Sequence, residues 1–169
     1  MSALDLDTFL STLCGPGART LCAGSKTIVV VDAMWTKDTR KIRDKRGLEG
    51  ALAKARELGE LQLETASKLH WLKFPLGARR GMFEIRRDGV RFYGGRITTF
   101  DRKQLVILTG AERKDGDAAD PALLDRCEKT LVAIADVVAK LDLDTSDDFD
   151  PPTREVADLT TERIKRGRK

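Results

Sequence analysis

Residues 81–93 read GMFEIRRDGVRFY, and this stretch decides the fold. Two short runs of β-forming residues flank Asp88-Gly89, a dipeptide that favours the tight turn of a β-hairpin. A second turn at residues 101–103 precedes a further apolar run, so the spacing predicts a meander of three antiparallel strands. The predicted strands are 82–87, 90–100 and 104–109.

The rest of the chain adds helices and one more strand. A run of β-branched residues predicts a strand at 26–32. Leu and Ala residues spaced three or four apart predict a helix over 48–72, or two helices divided at Gly59. Asp120-Pro121 is a typical helix start, and the apolar residues that follow it predict an amphipathic helix to Leu141. We therefore expect an α+β fold, with a small antiparallel sheet of about four strands and helices packed on one face.

The middle strand carries an irregularity that affects its two faces. Val90 and Phe92 are apolar at even positions, whereas Ile97 is apolar at an odd position. Because the parity of a strand cannot change without an extra residue, Gly94-Gly95 predicts a β-bulge that resets the register. The sheet would then have one apolar face and one Arg-rich face. On this strand the Arg-rich face would carry Arg91, Tyr93 and Arg96.

Composition narrows the class of protein and its location. The chain has 169 residues, of which 41% are hydrophobic, enough for one domain with a buried core. No apolar run approaches the ~20 residues that span a bilayer, and the first residues are acidic where a secretory signal is basic. Three cysteines without a CxxC pair and a single histidine argue against a disulfide framework or a zinc site. We expect a cytoplasmic protein with no membrane segment and no metal.

The expected organisation has four parts. A helical extension at residues 1–25 precedes a main domain at 26–141. Five aspartates without a basic residue, followed by a Pro-Pro pair, predict an acidic linker at 142–152. A basic tail occupies 153–169.

Positive charge is concentrated in the predicted strands. Residues 72–114 contain eleven basic and four acidic residues, a net charge of +7, so the rest of the chain has a net charge of −3. Arginine outnumbers lysine there, and a guanidinium can bind phosphate oxygens through two hydrogen bonds. A solvated charged face would explain the pattern, whereas a polyanionic partner such as RNA or DNA is the sharper interpretation.

Three short motifs in this region, followed by an amphipathic helix, resemble one known family. The motifs are Phe83-Glu84-Ile85-Arg86, Val90-Arg91-Phe92-Tyr93 and residues 105–114, which end in Arg113-Lys114. In this order they resemble the RelE/HigB family, and within it the phage-derived HigB-type branch, over about residues 26–140. Members of that family are toxins of type II toxin–antitoxin modules. The resemblance implies a RelE-like fold.

The resemblance also implies an activity and a set of partners. Such a toxin is an endoribonuclease that cleaves mRNA, often on the ribosome, and thereby inhibits translation. The ribose 2′-OH would attack the adjacent phosphate and leave a 2′,3′-cyclic phosphate, without a metal or cofactor. The implied partners are an antitoxin protein of the helix-turn-helix type, mRNA and the ribosome.

The Arg-rich face supplies a candidate site for that chemistry. The candidate catalytic residues are Arg86, Arg91, Arg113, Lys114, Glu84 and Tyr93. The three arginines would clamp the phosphate, and Lys114 would add a point charge. Glu84 would accept the 2′-OH proton or hold Arg86 in an ion pair, while Tyr93 would transfer a proton or stack on a base. The candidate RNA-binding residues are Arg79, Arg80, Arg87 and Arg96.

Two alternatives use the same fold. A non-catalytic nucleic-acid-binding or phage regulatory protein would hold phosphate without cleaving it. Ala111 stands where the family usually has an aromatic residue, and Glu112 adds a negative charge beside the basic pair; both favour this alternative over the ribonuclease. A ParE-like toxin would act on DNA gyrase, and the basic residues at the strand ends favour the ribonuclease over it.

Overall fold

The computed structural model describes residues 6–114, 116 and 118–141. In this part of the chain, five α-helices and one 3-10 turn surround a single six-stranded sheet. The helices are α1 (Leu6–Cys14), α2 (Ala33–Arg40), α3 (Lys45–Glu57), α4 (Leu63–Ala66) and α5 (Pro121–Lys140), with the 3-10 turn at Leu58–Glu60. The strands are β1 (Arg19–Ala23), β2 (Thr27–Val31), β3 (Leu72–Lys73), β4 (Met82–Arg87), β5 (Val90–Phe100) and β6 (Lys103–Arg113). The predicted acidic linker at 142–152 and basic tail at 153–169 lie outside the described residues.

The sheet contains the predicted meander and two strands more than expected. Its strand order is β1-β2-β6-β5-β4-β3, and the meander β4-β5-β6 is confirmed. The expectation of a four-stranded antiparallel sheet is wrong, because β1 and β3 add to its edges and β2 runs parallel to β6. Both added strands are short edge strands without the alternating pattern that marks a strand in a sequence. The segment predicted as an N-terminal extension thus contributes β1 to the same sheet.

Both faces of the sheet are covered by helices. On one face, α3, the 3-10 turn and α4 enclose a core that includes Val29, Phe83 and Phe92, here called the first core. On the other face, α1 and α5 enclose a second core that includes Ile107 and Leu131. The prediction of helices on one face is therefore wrong. The physical reason is visible in β2, whose residues are buried on both faces along its whole length. A strand apolar on both sides needs a cover on both sides.

The two faces of β5 follow simple alternation through the glycines. Phe92 and Arg96 face the first core, and Tyr93 and Ile97 face the second. The predicted change of parity at Gly94-Gly95 is therefore wrong, and Arg96 does not share a face with Tyr93. Ile97 is apolar because it packs in the second core with α1 and α5, so its position is explained without a change of parity.

The register does shift at this point, but the extra residue belongs to β6. Tyr93 pairs with Gly110 and Gly94 pairs with Leu108, which leaves Thr109 without an opposite residue. A second shift on β5 leaves Ile97 unpaired. An irregularity was predicted here; the sequence could not indicate which strand carries it, since that depends on the pairing.

The two glycines of β5 are required by close packing. A Cβ on Gly94 would lie 1.9 Å from the carbonyl oxygen of Ile107, and one on Gly95 would lie 2.8 Å from Leu131 Cδ1. At the first position the obstacle is the backbone of β6, which a side chain cannot displace. The bulge and the docking of α5 therefore both depend on glycine at these positions.

We expect Gly94→Ala to destabilise the domain by roughly 1–3 kcal/mol or more, because β5 and β6 must separate to admit the methyl group. Chemical denaturation of the purified variant measures the loss. Gly116→Ala is the matched control, since a Cβ at that position meets no atom within 4 Å. If both variants were equally stable, the close approach of the two strands would be contradicted.

Candidate nucleic-acid interface

The strand register brings four of the predicted catalytic residues together. Glu84 lies opposite Tyr93, and Arg86 lies opposite Arg91 on the neighbouring strand. Arg91 in turn lies opposite Glu112 of β6. All five side chains are on the α5 side of the sheet, since the alternate residues of these strands belong to the first core. We call this group the sheet-face cluster.

The sheet-face cluster is largely buried and its charges are paired internally. Arg86 Nε donates to Glu84 Oε1 at 2.8 Å, and Glu84 is only 2% exposed. Arg91 is 3% exposed and donates to the carbonyl oxygen of Gly116. The ion pair between Glu84 and Arg86 was one of the two roles expected for Glu84. The expectation of an open, Arg-rich sheet face is wrong, because the second layer of helices covers most of that face.

Tyr93 is held in its neutral form. Burial raises the pKa of its hydroxyl, and the nearby carboxylates of Glu112 and Glu84 raise it further. The hydroxyl therefore keeps its proton throughout the physiological pH range and cannot serve as a general base there.

The basic pair at the end of β6 does not join Arg86 and Arg91. Arg113 lies on the opposite side of the sheet, where its Nε donates to Asp44 Oδ2 at 3.0 Å. Lys114 Nζ lies 4.0 Å from Glu112 Oε1, at the margin of the sheet-face cluster. The predicted phosphate clamp is thus divided between the two faces.

Two of the four predicted RNA-binding arginines serve the fold instead. Arg96 is completely buried, forms an ion pair with Glu64 at 2.5 Å and lies over the ring of Phe74. Arg79 joins the segment before β4 to α5 through ion pairs with two acidic residues. These are Asp125, at 2.6 Å, and Glu128. Of the other two, Arg80 is exposed and Arg87 lies 3.5 Å from Asp88.

Exposed positive charge is concentrated where α2 turns into α3. Residues 37–46 contain six basic and two acidic residues, a net charge of +4. All six basic side chains are exposed, and we call this segment the basic corner. They are Lys37, Arg40, Lys41, Arg43, Lys45 and Arg46.

The two aspartates of the basic corner are paired with groups of the protein. Asp38 is buried and binds Arg126 of α5 at 2.5 Å and the amide of Ala111 at 3.1 Å. Asp44 caps α3 by accepting from the Gly47 amide at 2.9 Å, and also accepts from Arg113. The Gly47 hydrogen bond, together with Arg113, lowers the pKa of Asp44. Since both carboxylates are engaged, the outer surface of the corner keeps its positive charge.

A groove of about 560 Å³ separates the basic corner from the end of β6. It lies where β2 has ended at Val31 while β6 continues to Arg113, so one edge of β6 has lost its neighbouring strand. The groove is lined by Asp38, Lys41, Ile42, Arg43, Asp44, Ala111, Glu112 and Arg113.

Side chains close the exposed edge of β6 and hold the corner in place. The amide of Ala111 donates to Asp38, and Arg126 donates to the carbonyl of Thr109 at 3.2 Å. These hydrogen bonds replace those that β2 would make and connect α2, β6 and α5. The groove is therefore built on a fixed framework.

Sequence reasoning missed the basic corner as a site, although it is denser in positive charge than the strand region. The signal was six basic residues within ten positions, against eleven in the 43-residue strand region. The site was expected on the strands because a sheet with one Arg-rich face was predicted. Only the second helical layer shows that the strand arginines are not on an open face.

Comparison with known proteins identified no relative of this chain. No family model, curated protein or solved structure matches the chain. Among the described residues, no helix is long and apolar enough to span a membrane. The same residues contain no group of three or more His, Cys, Asp and Glu side chains placed to hold a metal ion.

We expect Asp38→Ala to lower the free energy of unfolding by about 1–3 kcal/mol, since it leaves the Ala111 amide without its acceptor and the Arg126 guanidinium without its carboxylate partner. Asp38→Asn keeps one acceptor oxygen and should cost less. Denaturant unfolding of these variants, and of Asp38→Ala combined with Arg126→Ala, measures the coupling. Strictly additive losses would show that the two side chains do not stabilise each other.

Proposed function

We propose that the protein binds RNA through the basic corner and acts as the toxin of a toxin–antitoxin pair that stops translation by engaging mRNA. The observation that carries this proposal is the exposed row of six cations, whose two neighbouring carboxylates, the buried Asp38 and the partly exposed Asp44, are paired with Arg126 and Arg113. The resemblance to the RelE/HigB family supports mRNA as the polyanion.

The charges of the corner account for affinity without base recognition. Lysine and arginine that neutralise phosphates release condensed cations, and binding then weakens steeply as salt increases. Six contacts to a single strand correspond to a slope of about −4 in a plot of log affinity against log salt. An antitoxin would neutralise the toxin by covering the same surface with acidic side chains.

Cleavage of the bound mRNA by the sheet-face cluster is a second candidate function. It is favoured by the juxtaposition of Glu84, Arg86 and Tyr93 across β4 and β5. The 2′-OH would attack the adjacent phosphorus and its proton would pass to Glu84. The P–O5′ bond would break to leave a 2′,3′-cyclic phosphate, and the departing O5′ would take a proton from water to give a 5′-hydroxyl end. Arg86, the most exposed of the group, would bind the phosphorane oxygens. Because Arg86 covers Glu84, the phosphate must draw Arg86 away before Glu84 can act.

Replacing Arg40, Arg43 and Arg46 by alanine should weaken binding to single-stranded RNA and reduce the salt slope by about 2. The matched control removes three exposed cations elsewhere, in the variant Arg56→Ala/Lys68→Ala/Lys129→Ala. Fluorescence anisotropy with a labelled oligonucleotide at several salt concentrations measures both quantities. Equal losses in the two triple variants would mean that binding follows net charge and not the basic corner.

Arg86→Lys should reduce mRNA cleavage by about 10²–10³-fold if the sheet-face cluster is catalytic, because lysine keeps the charge but loses the two-point contact with phosphate. Arg56→Lys, at an exposed arginine of α3 outside the sheet-face cluster, is the control. Mapping of 5′-hydroxyl ends after induction, together with growth curves, provides the measurement. Growth arrest without new RNA ends in the wild type would favour the non-catalytic alternative.

A further inference from the structure

We propose that the groove beside the basic corner holds one unstacked base of a single-stranded RNA, so that the protein selects single strands over duplexes. This inference rests on the proposed function and adds the class of substrate. Binding of phosphates by the basic corner would not need the groove, whereas binding of a base does.

The floor of the groove is apolar. Ile42 is half-buried and packs against the first core, and Ala111 beside it is only 6% exposed. Ile42 lies between Lys41 and Arg43 in the chain, and all three line the groove. A volume of about 560 Å³ falls within the range of sites that take ligands of nucleotide size. A nucleobase, which is flat and apolar on its faces, fits such a floor.

The charges around the floor fit the sugar–phosphate part of the same nucleotide. Three carboxylates belong to the lining: Asp38 and Asp44 are neutralised by Arg126 and Arg113, and Glu112 lies 4.0 Å from Lys114. Among the described residues, neither Lys41 nor Arg43 forms an ion pair, and both side chains are exposed. A phosphate on either side of the base would therefore meet a positive charge at the rim.

Main-chain groups add a polar contact for the edge of the base. The amide of Ala111 points away from β5, because it donates to Asp38. In an antiparallel ladder the carbonyl of a residue points to the same side as its amide, so the Ala111 carbonyl faces the groove. Every RNA base has a ring or amino N–H that can donate to such an acceptor, so this contact does not require a particular base.

A base can reach the floor of the groove from single-stranded RNA more easily than from an RNA duplex. In a duplex the base faces are stacked and the edges are paired, so a base reaches a groove only after it leaves the helix. In a single strand the base turns outward at little cost, and contact between a base and an apolar surface adds affinity. The walls are already fixed by Asp38–Arg126 and Asp44–Arg113, so little ordering is needed on binding.

The test uses the full-length protein and an RNA oligonucleotide that contains one 2-aminopurine, free or annealed to its complement. We expect at least tenfold tighter binding of the single strand than of the duplex. We also expect the 2-aminopurine emission to rise on binding, since a base on an aliphatic floor is no longer quenched by stacking. Ile42→Ala should reduce both effects, and Leu52→Ala, which trims a half-buried side chain of the same core outside the groove, should leave both unchanged.

The outcomes separate this inference from the proposed function. Equal affinity for single strand and duplex, or unchanged emission with the wild-type protein, would overturn the groove as a base site. If, in that case, replacing Arg40, Arg43 and Arg46 by alanine still weakened RNA binding, the proposal that the basic corner binds RNA would be retained without the base site. If the wild-type protein bound neither RNA, both proposals would be wrong. The wild-type emission requires no substitution, so the test does not depend on how well the Ile42 variant folds.

Discussion

The structure depends on β6 being buried on both faces and along most of both edges. It pairs with β5 over its whole length and with β2 over its first half, and helical layers cover its two sides. Fully buried residues from Leu105 to Leu108 lie at its centre. Since buried main-chain polar groups need partners, side chains pair the Ala111 amide and the Thr109 carbonyl where β2 no longer lies beside β6. Asp38 and Arg126 do this and thereby fix α2 against α5.

The second helical layer has a direct effect on the arginines of the strands. Arginines that alternation alone would place in solvent are enclosed, and an enclosed guanidinium needs an acidic partner. Glu64 pairs with the enclosed Arg96, whereas Arg86 remains exposed and pairs with the buried Glu84. Breaking either pair leaves one buried charge uncompensated, that of Arg96 or that of Glu84, so both pairs stabilise the fold.

Positive charge available to a partner is therefore found at the turn between α2 and α3. This turn is placed at the end of β6 because β2 passes directly into α2, whose cap is Asp32 at the end of the strand. Asp32 accepts from the Trp35 amide at 2.9 Å and from the Thr109 hydroxyl at 2.5 Å, which connects the cap to the bulge of β6. The extra residue in β6 is thus part of the framework that positions the basic corner and its groove.

The sequence by itself determined the local elements, because their signals lie within a few residues of one another. The turn at Asp88-Gly89, the strands on either side of it and the start of α5 at Asp120-Pro121 were all predicted correctly. The helix expected over 48–72 is divided near Gly59, one of the two alternatives, but its second part ends at Ala66, and Leu72 begins β3. Tertiary structure decided which strands become neighbours, on which strand the bulge lies and which charges are exposed. These properties depend on contacts between distant segments, such as Asp38 with Arg126 and Arg96 with Glu64. An arginine on a strand has the same local pattern whether water or a helix covers it, so only the packing of α1 and α5 could show which arginines are exposed.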